Sequence, residues 1–217
     1  MRHEKSDLIA SIQDYVAKST PELEAPLLTA VEVLDSAGAL PVETLQSVVE
    51  AASSRLATVY ETGVTVLGEL AEADIRALDA IQQMFASSKA HVRHNALLCL
   101  TEWLPSKVST ELLRHGLGDK SARVRAKAAD WAGRLRLQTL ASDLARAVLV
   151  ESNAEARDVI AYELQMLRAG YVVKSADGGK TYLVVDTPRG RIGVHVSNEA
   201  ISRKGLKEVA SDVARGV

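Results

Sequence analysis

Aromatic residues and cysteine are both scarce in this sequence. Aromatic residues make up 4% of the 217 residues, whereas alanine and leucine are abundant. This balance favours helices, because alanine and leucine lose little conformational freedom on entering a helix and aromatic residues lose more. Cys99 is the only cysteine, so no disulfide can form within the chain. A single cysteine is typical of proteins in a reducing compartment.

Long apolar runs are missing as well. No run approaches the ~18 apolar residues that a membrane-spanning helix needs. Residues 1–10 carry charges and lack the apolar stretch of a signal peptide. We therefore expect a cytoplasmic protein that does not bind membranes. The length of the chain is sufficient to bury a core without a metal or a disulfide.

The net charge of −2 hides an uneven distribution along the chain. Residues 1–85 contain 5 basic and 14 acidic residues, residues 86–146 contain 11 and 5, and residues 147–217 contain 10 and 9. This asymmetry is either ordinary surface variation or an acidic front section followed by a basic middle section that meets an anionic partner.

An internal repeat with one constant period runs through the middle of the chain. The period is 32 residues, which is the separation of Arg93 from Arg125 and of Arg125 from Arg157. Other columns in the same register are Phe85, Leu117, Leu149; Ser87, Asp119, Glu151; Val92, Val124, Ala156; Ala96, Ala128, Ile160; Leu100, Ala132, Leu164; and Trp103, Leu135, Leu167. So many aligned columns indicate one structural unit that occurs three times.

Each copy predicts a pair of helices. Val92, Ala96, Leu100 and Trp103 follow one another at steps of four, four and three residues, which is one face of a helix. A second apolar helix follows each of the first two copies, with Pro105 and Gly118 at the joints of the first.

These segments resemble HEAT repeats, in particular the short bacterial type known as HEAT-like or phycobilisome-lyase-type repeats. The resemblance rests on residues 90–97 and 117–129, with a Val-Arg pair at the start of each first helix and an acid just before it. The first copy departs from this pattern, because it has Ser87 in place of the acid. The resemblance covers residues 71–170 and implies a mainly α protein, a short right-handed α-solenoid of helix pairs.

The remaining parts of the chain follow other patterns. Residues 1–60 predict helices from Ser6 to about Lys18, from Pro21 to Ala37, and from Pro41 to about Tyr60. Residues 61–170 hold the repeats, including a degenerate helix before the first copy. Residues 171–217 predict a small β-meander of three strands followed by one helix. We expect this last part to pack on the final repeat, as terminal repeats need a cap.

The arginine column has two interpretations. It is either a basic ladder that contacts phosphates or, as the resemblance implies, a structural ladder. In the structural interpretation Arg93, Arg125 and Arg157 pair with acids at the turns between repeats, here Asp119 and Glu151. The planar fork of an arginine suits such a two-pronged pairing, so the structural interpretation is favoured.

The second helices carry another periodic set of charges. Arg114 and Arg146 are one repeat period apart, and each follows an acid by three residues, Glu111 or Asp143. Second helices commonly line the concave surface of a solenoid. Lys107, Arg114, His115 and Arg146 are therefore our candidate binding residues, unless they are simply solvated surface ion pairs.

No convincing catalytic motif, metal site or cofactor site is present. His91 and His94 are three residues apart on one helix but have no further ligands at a matching spacing, so both are expected to be exposed polar residues. Cys99 and Trp103 are expected to be buried. Trp131 is either buried between repeats or an interface anchor. The sequence therefore favours a non-enzymatic protein without a cofactor.

Three functional classes remain. The favoured one is an interaction scaffold that binds a protein partner through a concave helical groove. The alternative is nucleic-acid binding through the basic section 86–146, with a remote likeness to alkylpurine DNA glycosylases at the level of the repeat. The third is a role in bilin attachment, which the resemblance to lyase-type repeats suggests and no residue specifies. The oligomeric state does not follow from the sequence.

Overall fold

The chain is mainly helical, with a small three-stranded antiparallel sheet near its C-terminus. The computed structural model describes residues 4–34, 40–177 and 179–216. The chain divides into two compact units, residues 1–127 and 128–217. The predicted mainly α fold with a C-terminal β-meander is thus confirmed.

The N-terminal helices differ in detail from the prediction. Helix α1 (Lys5–Ser11) continues through a π-helical turn, Ile12–Val16, into α2 (Ala17–Ser19). Glu4 rather than Ser6 occupies the N-cap position of α1. The helix predicted from Pro21 begins there as a 3-10 turn, which leads into α3 (Glu24–Val33). The predicted end of this helix at Ala37 lies outside the described residues.

The prediction of one helix over residues 41–60 is wrong. Helix α4 (Val42–Ala52) ends before Ser53, and α5 (Ala57–Leu70) begins a few residues later. The Asn95 side-chain amide donates to Ala52 O over 2.9 Å and to Ser54 O over 3.1 Å. This side chain therefore satisfies carbonyl groups that the end of a helix leaves unpaired.

Glycine allows α4 and α5 to pack closely. A Cβ placed on Gly63 of α5 would lie 2.6 Å from the backbone carbonyl carbon of Ala51 in α4. Ala51 and Ala52 are both fully buried at this contact. Only a residue without a side chain fits between the two backbones.

The repeated part of the chain consists of consecutive helices, as the spacing predicts. The helices are α6 (Ile75–Phe85), α7 (Ala90–Leu98), α8 (Ser106–Leu117), α9 (Ala122–Arg134), α10 (Ala141–Val150) and α11 (Ala154–Ala169). Pro105 and Gly118 flank α8 at its two ends. Asp74 and Asn153 cap α6 and α11, because each side chain accepts a hydrogen bond from a backbone N–H of the first turn.

The apolar columns of the repeat form much of the core. Val92, Val124 and Ala156 are all buried, and so are the members of the next column, Ala96, Ala128 and Ile160. Burial of side chains of this kind contributes about 25 cal/mol per Å² of apolar surface. The helical periodicity of the sequence therefore identified the burial of these two columns correctly.

The C-terminal part forms a meander of β1 (Tyr171–Asp177), β2 (Lys180–Thr187) and β3 (Gly190–Ser197), with β2 in the centre. Alternate residues of β2 are buried, and Leu183 and Val185 pack with Val209 and Ala210. The single predicted terminal helix is instead two helices, α12 (Asn198–Lys204) and α13 (Leu206–Arg215), because Gly205 between them has φ 84°. Strand β1 packs against α11.

Candidate functional site

Arg93 of α7 forms a two-pronged ion pair with Asp119, which lies in the turn before α9. Arg93 Nε donates to Asp119 Oδ2 over 2.7 Å, and Nη2 donates to Oδ1 over 2.8 Å. Burial by itself raises the pKa of Asp119, but hydrogen bonds from Arg93 and from the Ser121 N–H hold this pKa below its ordinary value. The pair therefore ties α7 to the turn that precedes α9.

The turns before α7, α9 and α11 contain the same hydrogen bond at steps of one repeat period. In each turn a side chain accepts from the backbone N–H two residues later: Ser87 from Lys89, Asp119 from Ser121, and Glu151 from Asn153. The arginines also repeat a contact, since Arg93 Nη1 donates to Ser87 O and Arg125 Nη1 donates to Asp119 O. The period is thus a property of three-dimensional contacts as well as of the sequence.

The two ends of the arginine column differ from its middle. Arg157 is exposed, and the position that corresponds to Asp119 in the copy after it is Leu183, which is fully buried in β2. At the other end, the position that corresponds to Arg93 in the copy before the first is Glu61. The first copy therefore has Ser87 at the position of the acid, and no arginine stands at the matching distance before it. The last arginine, Arg157, has no acid at the matching distance after it.

The predicted binding residues lie on two helices in the two units. Lys107, Arg114 and His115 are exposed on α8, with Lys107 and Arg114 seven residues apart on one face. Arg146 is exposed on α10 and forms an ion pair with Asp143, three residues earlier. Because these side chains belong to separate units, their role in binding stays a prediction.

An open groove that the sequence did not predict lies in the first unit. It has a volume of about 500 Å³ and is lined by residues of α4 and α6, by Ser53 after the end of α4, and by two residues from the start of the first repeat. Its apolar surface comes from Leu45, Val49, Ala80, Met84 and Val92. Helices α4 and α6 form its walls and make few direct contacts with each other.

Polar side chains line the edges of this groove. Gln46 comes from α4, Ser53 directly follows the end of α4, and Gln83 and Arg76 come from α6. The Arg76 guanidinium donates to Asp74 and also to Leu40 O over 2.9 Å. The hydrogen bond from Arg76 holds the pKa of Asp74 below its ordinary value. The Arg76 guanidinium at the edge of the groove is therefore already bound by groups of its own chain.

A buried ion pair joins α11 to the sheet in the second unit. Arg191 of β3 donates to both carboxylate oxygens of Glu163 over 2.8 and 2.7 Å. Burial raises the pKa of Glu163, and the hydrogen bonds from Arg191 oppose this rise only in part. Gly133 of α9 leaves the space that the carboxylate occupies, since a Cβ there would lie 2.6 Å from Glu163 Cδ. Arg191 also lies over the ring of Tyr162.

His94 is buried, which contradicts the expectation that both histidines of α7 are exposed. It is 5% exposed and lies 3.4 Å from Asn95 Oδ1 through Nδ1. Burial, together with the positive charges of Arg123 and Lys127, lowers the pKa of His94 from 6.5 to about 4. The neutral imidazole is therefore the form that the folded chain accommodates.

We expect His94 to make the chain sensitive to acid. Its pKa is lower in the folded chain than in the unfolded one, so the unfolded state binds more protons and stability falls as the pH drops from 6.5 towards 4. Between pH 7.5 and pH 4.5 the wild type should lose about 2 kcal/mol more stability than the His94→Gln variant. Urea unfolding at the two pH values measures this difference. Equal losses for both proteins would show that His94 does not contribute.

Two large apolar side chains are exposed where the repeat predicts burial. Trp103 is 60% exposed, because α7 ends at Leu98 whereas the corresponding helix α9 continues to Arg134. Leu149 is 85% exposed, although Leu117 in the same column is buried. The position one repeat period after Leu149 is Thr181 in β2, so no further copy of this helix follows. Cys99, in contrast, is buried, and burial raises the pKa of its thiol.

The described residues contain no group of three or more histidine, cysteine, aspartate or glutamate residues that could hold a metal ion. Over the same part of the chain, no helix has the length and apolar character needed to cross a membrane.

Comparisons with known proteins identify no family. No protein-family model matches the chain, and no curated protein sequence matches it. One similar solved structure is the crystal structure of an engineered protein. It is 14% identical, and the likeness covers 74% of this chain and 79% of that one with a TM-score of 0.37. A likeness of this size carries no conclusion about fold or function.

Proposed function

We propose that the chain is a non-enzymatic scaffold that binds a protein partner through its helices. In this proposal the helix pairs form a short right-handed α-solenoid of HEAT-like repeats. The recurring turn hydrogen bonds of Ser87, Asp119 and Glu151 support a stacked repeat. The ion pair between Arg93 and Asp119, which joins consecutive copies, supports it as well. Stacked helix pairs provide extended binding surfaces.

The observation that carries the binding proposal is the groove between α4 and α6. Its volume of about 500 Å³ lies in the range of sites that enclose a ligand or an anchoring side chain, roughly 300–1,000 Å³. Its apolar surface includes the buried side chains of Met84 and Val92. Apolar anchors that enter such pockets supply much of the binding energy of protein interfaces.

The charged residues of α8 and α10 are a second part of the proposal. Lys107, Arg114, His115 and Arg146 would contact a partner that extends beyond the groove. Their exposure supports this assignment. Each exposed charge is worth little alone, because water competes for it. We therefore propose that these side chains influence the choice of partner more than the strength of binding.

Nucleic-acid binding through residues 86–146 is the second candidate. The observation that favours it is the exposure of several basic side chains in this section: Lys89, Lys107, Lys120 and Arg123. Arg93 does not add to them, because Asp119 engages its guanidinium. Binding of this kind would weaken steeply as salt is added, since each phosphate contact releases counterions.

Site-specific photo-cross-linking tests both candidates. A photoreactive residue is placed at Gln46 or Gln83 in the groove, at Lys107, or at the exposed control position Glu22, and cross-links are formed in an extract of the natural source cells. We expect the two groove positions to label the same protein and the control position not to label it. Equal labelling at Glu22, or no protein adduct from the groove, would reject the scaffold proposal. Nucleic-acid adducts from Lys107 would favour the second candidate.

A further inference from the structure

We propose that the groove between α4 and α6 binds an amphipathic helix of the partner protein whose polar face carries lysine or arginine. This inference rests on the proposed function, because it assumes that the groove is a protein-binding site. The segment that enters the groove is helical, and its polar face is basic. Three properties of the groove support it: its length, the type of its walls, and the charges along its edges.

The length of the groove suits a short stretch of helix. Its lining residues run from Leu45 on α4 to Ser53 directly after this helix, and from Arg76 to Met84 on α6. Each stretch rises by roughly 12 Å at 1.5 Å per residue, which is about two helical turns. A partner helix would place apolar side chains at positions i, i+4 and i+7 over this distance. These would contact Val49, Met84 and Val92.

The walls of the groove favour a helix over an extended peptide. Helices satisfy their own backbone hydrogen-bonding groups, so α4 and α6 offer no free ladder to which an extended strand could bond. An extended peptide would lose its backbone contacts with water and regain few of them from Gln46 and Gln83. A helical segment brings its backbone groups already paired. It therefore enters the apolar groove at a lower cost in desolvation.

Exposed acidic side chains follow both edges of the groove. Glu43 and Glu50 lie three residues before and four residues after Gln46, so they share its side of α4. Asp79 lies three residues after Arg76 and four before Gln83, and so shares the corresponding side of α6. All three carboxylates are exposed. A helix in the groove would present its polar face to these edges.

The acidic character extends through this part of the chain. Residues 40–85 contain seven acidic and two basic residues, and one of the two, Arg76, is engaged by Asp74 and Leu40 O. An acidic partner segment would be repelled here, whereas a basic one would be attracted during its approach. Charge complementarity thus selects a basic helix.

The test measures binding of a fluorescein-labelled peptide by fluorescence anisotropy at about 0.15 M salt. The peptide has about 16 residues, long enough to form a helix, with leucine at helical spacing and lysine elsewhere. One comparison peptide has glutamate in place of lysine, and another has the same residues in scrambled order. We expect the wild-type protein to bind the basic amphipathic peptide about tenfold more tightly than either comparison peptide.

Two triple variants with the same charge change locate the site. The groove variant reverses the charge along the edges of the groove and combines Glu43→Lys, Glu50→Lys and Asp79→Lys. The control variant reverses the charge of three exposed acids away from the lining residues and combines Glu22→Lys, Glu32→Lys and Glu61→Lys. The groove variant should bind the basic peptide about tenfold more weakly, and the control variant should change the affinity by less than about twofold. Circular dichroism verifies that each variant is folded.

Several outcomes would overturn the inference. Equal losses in both triple variants would show a general attraction of the acidic chain for cations. Equal binding of the scrambled or the glutamate peptide by wild-type protein would reject the basic helix, and this comparison needs no variant. Self-association in sedimentation would indicate a second copy as the occupant. If cross-linking from Gln46 finds a protein partner while the basic peptide does not bind, the scaffold proposal stands and this inference fails.

Discussion

Replacement of Arg191 by alanine is expected to lower the free energy of unfolding by roughly 3–5 kcal/mol. The substitution leaves the Glu163 carboxylate, which is 3% exposed, without the two hydrogen bonds that Arg191 donates. A buried carboxylate without a partner is costly, and it must either be protonated or draw water into the contact between α11 and the sheet. The loss is therefore much larger than that of a surface ion pair.

Urea unfolding of the Arg191→Ala variant measures this effect. The matched control is Arg189→Ala, which removes an exposed arginine in the turn between β2 and β3 and should cost less than about 0.5 kcal/mol. Replacement of both Glu163 and Arg191 by methionine should recover much of the loss, because no charge then stays buried. A loss below about 1 kcal/mol in Arg191→Ala would show that the pair adds no more than an exposed one.

Gly63→Ala is expected to destabilise the first unit by about 2–3 kcal/mol. A Cβ at this position would lie 2.6 Å from the Ala51 carbonyl carbon, so α4 and α5 must separate. Alanine favours a helix over glycine by about 1 kcal/mol, but this gain is smaller than the cost of disturbing a buried contact between two backbones. The net effect is therefore a loss of stability.

Gly118→Ala serves as the control for this substitution. Gly118 has a negative φ of −99°, and a Cβ there would meet His115 O at an ordinary 3.6 Å. We expect a change of less than about 0.5 kcal/mol in Gly118→Ala, measured by thermal unfolding alongside Gly63→Ala. A stabilised Gly63→Ala variant would show that α4 can move away from α5 without cost.

Local signals in the sequence were sufficient to predict most elements of the fold. The apolar columns headed by Val92 and Ala96 were predicted to be buried and are buried, and the strand pattern of residues 171–217 predicted the meander. The break between α4 and α5 was missed for a physical reason. Asn95 donates to Ala52 O and Ser54 O from 43 and 41 residues away, and no local pattern contains that contact.

The candidate site was harder to predict than the fold. The contact between Arg93 and Asp119 follows from a periodic column, so its spacing is visible in the sequence. The pair of Glu163 and Arg191 belongs to no period and joins a helix to a strand. The groove depends on the distance between α4 and α6, which the sequence does not encode locally. The mixed polar and apolar stripe of Val42, Gln46 and Val49 on α4, which Ser53 continues just after the helix end, was an available signal. The assumption of a longer helix obscured it.

The ion pair between Arg93 and Asp119 takes its arginine from one copy of the repeat and its acid from the next. This arrangement also limits how the chain can change in length. Arg93 and Asp119 are 26 residues apart, and the turn bonds recur once in every repeat period. Excision of one full period that begins between Arg93 and Asp119 returns Arg93 to an acid at the same separation, because Glu151 stands one period after Asp119. A deletion of another length between them separates this partly buried pair, so we expect the region to tolerate insertions and deletions in whole copies.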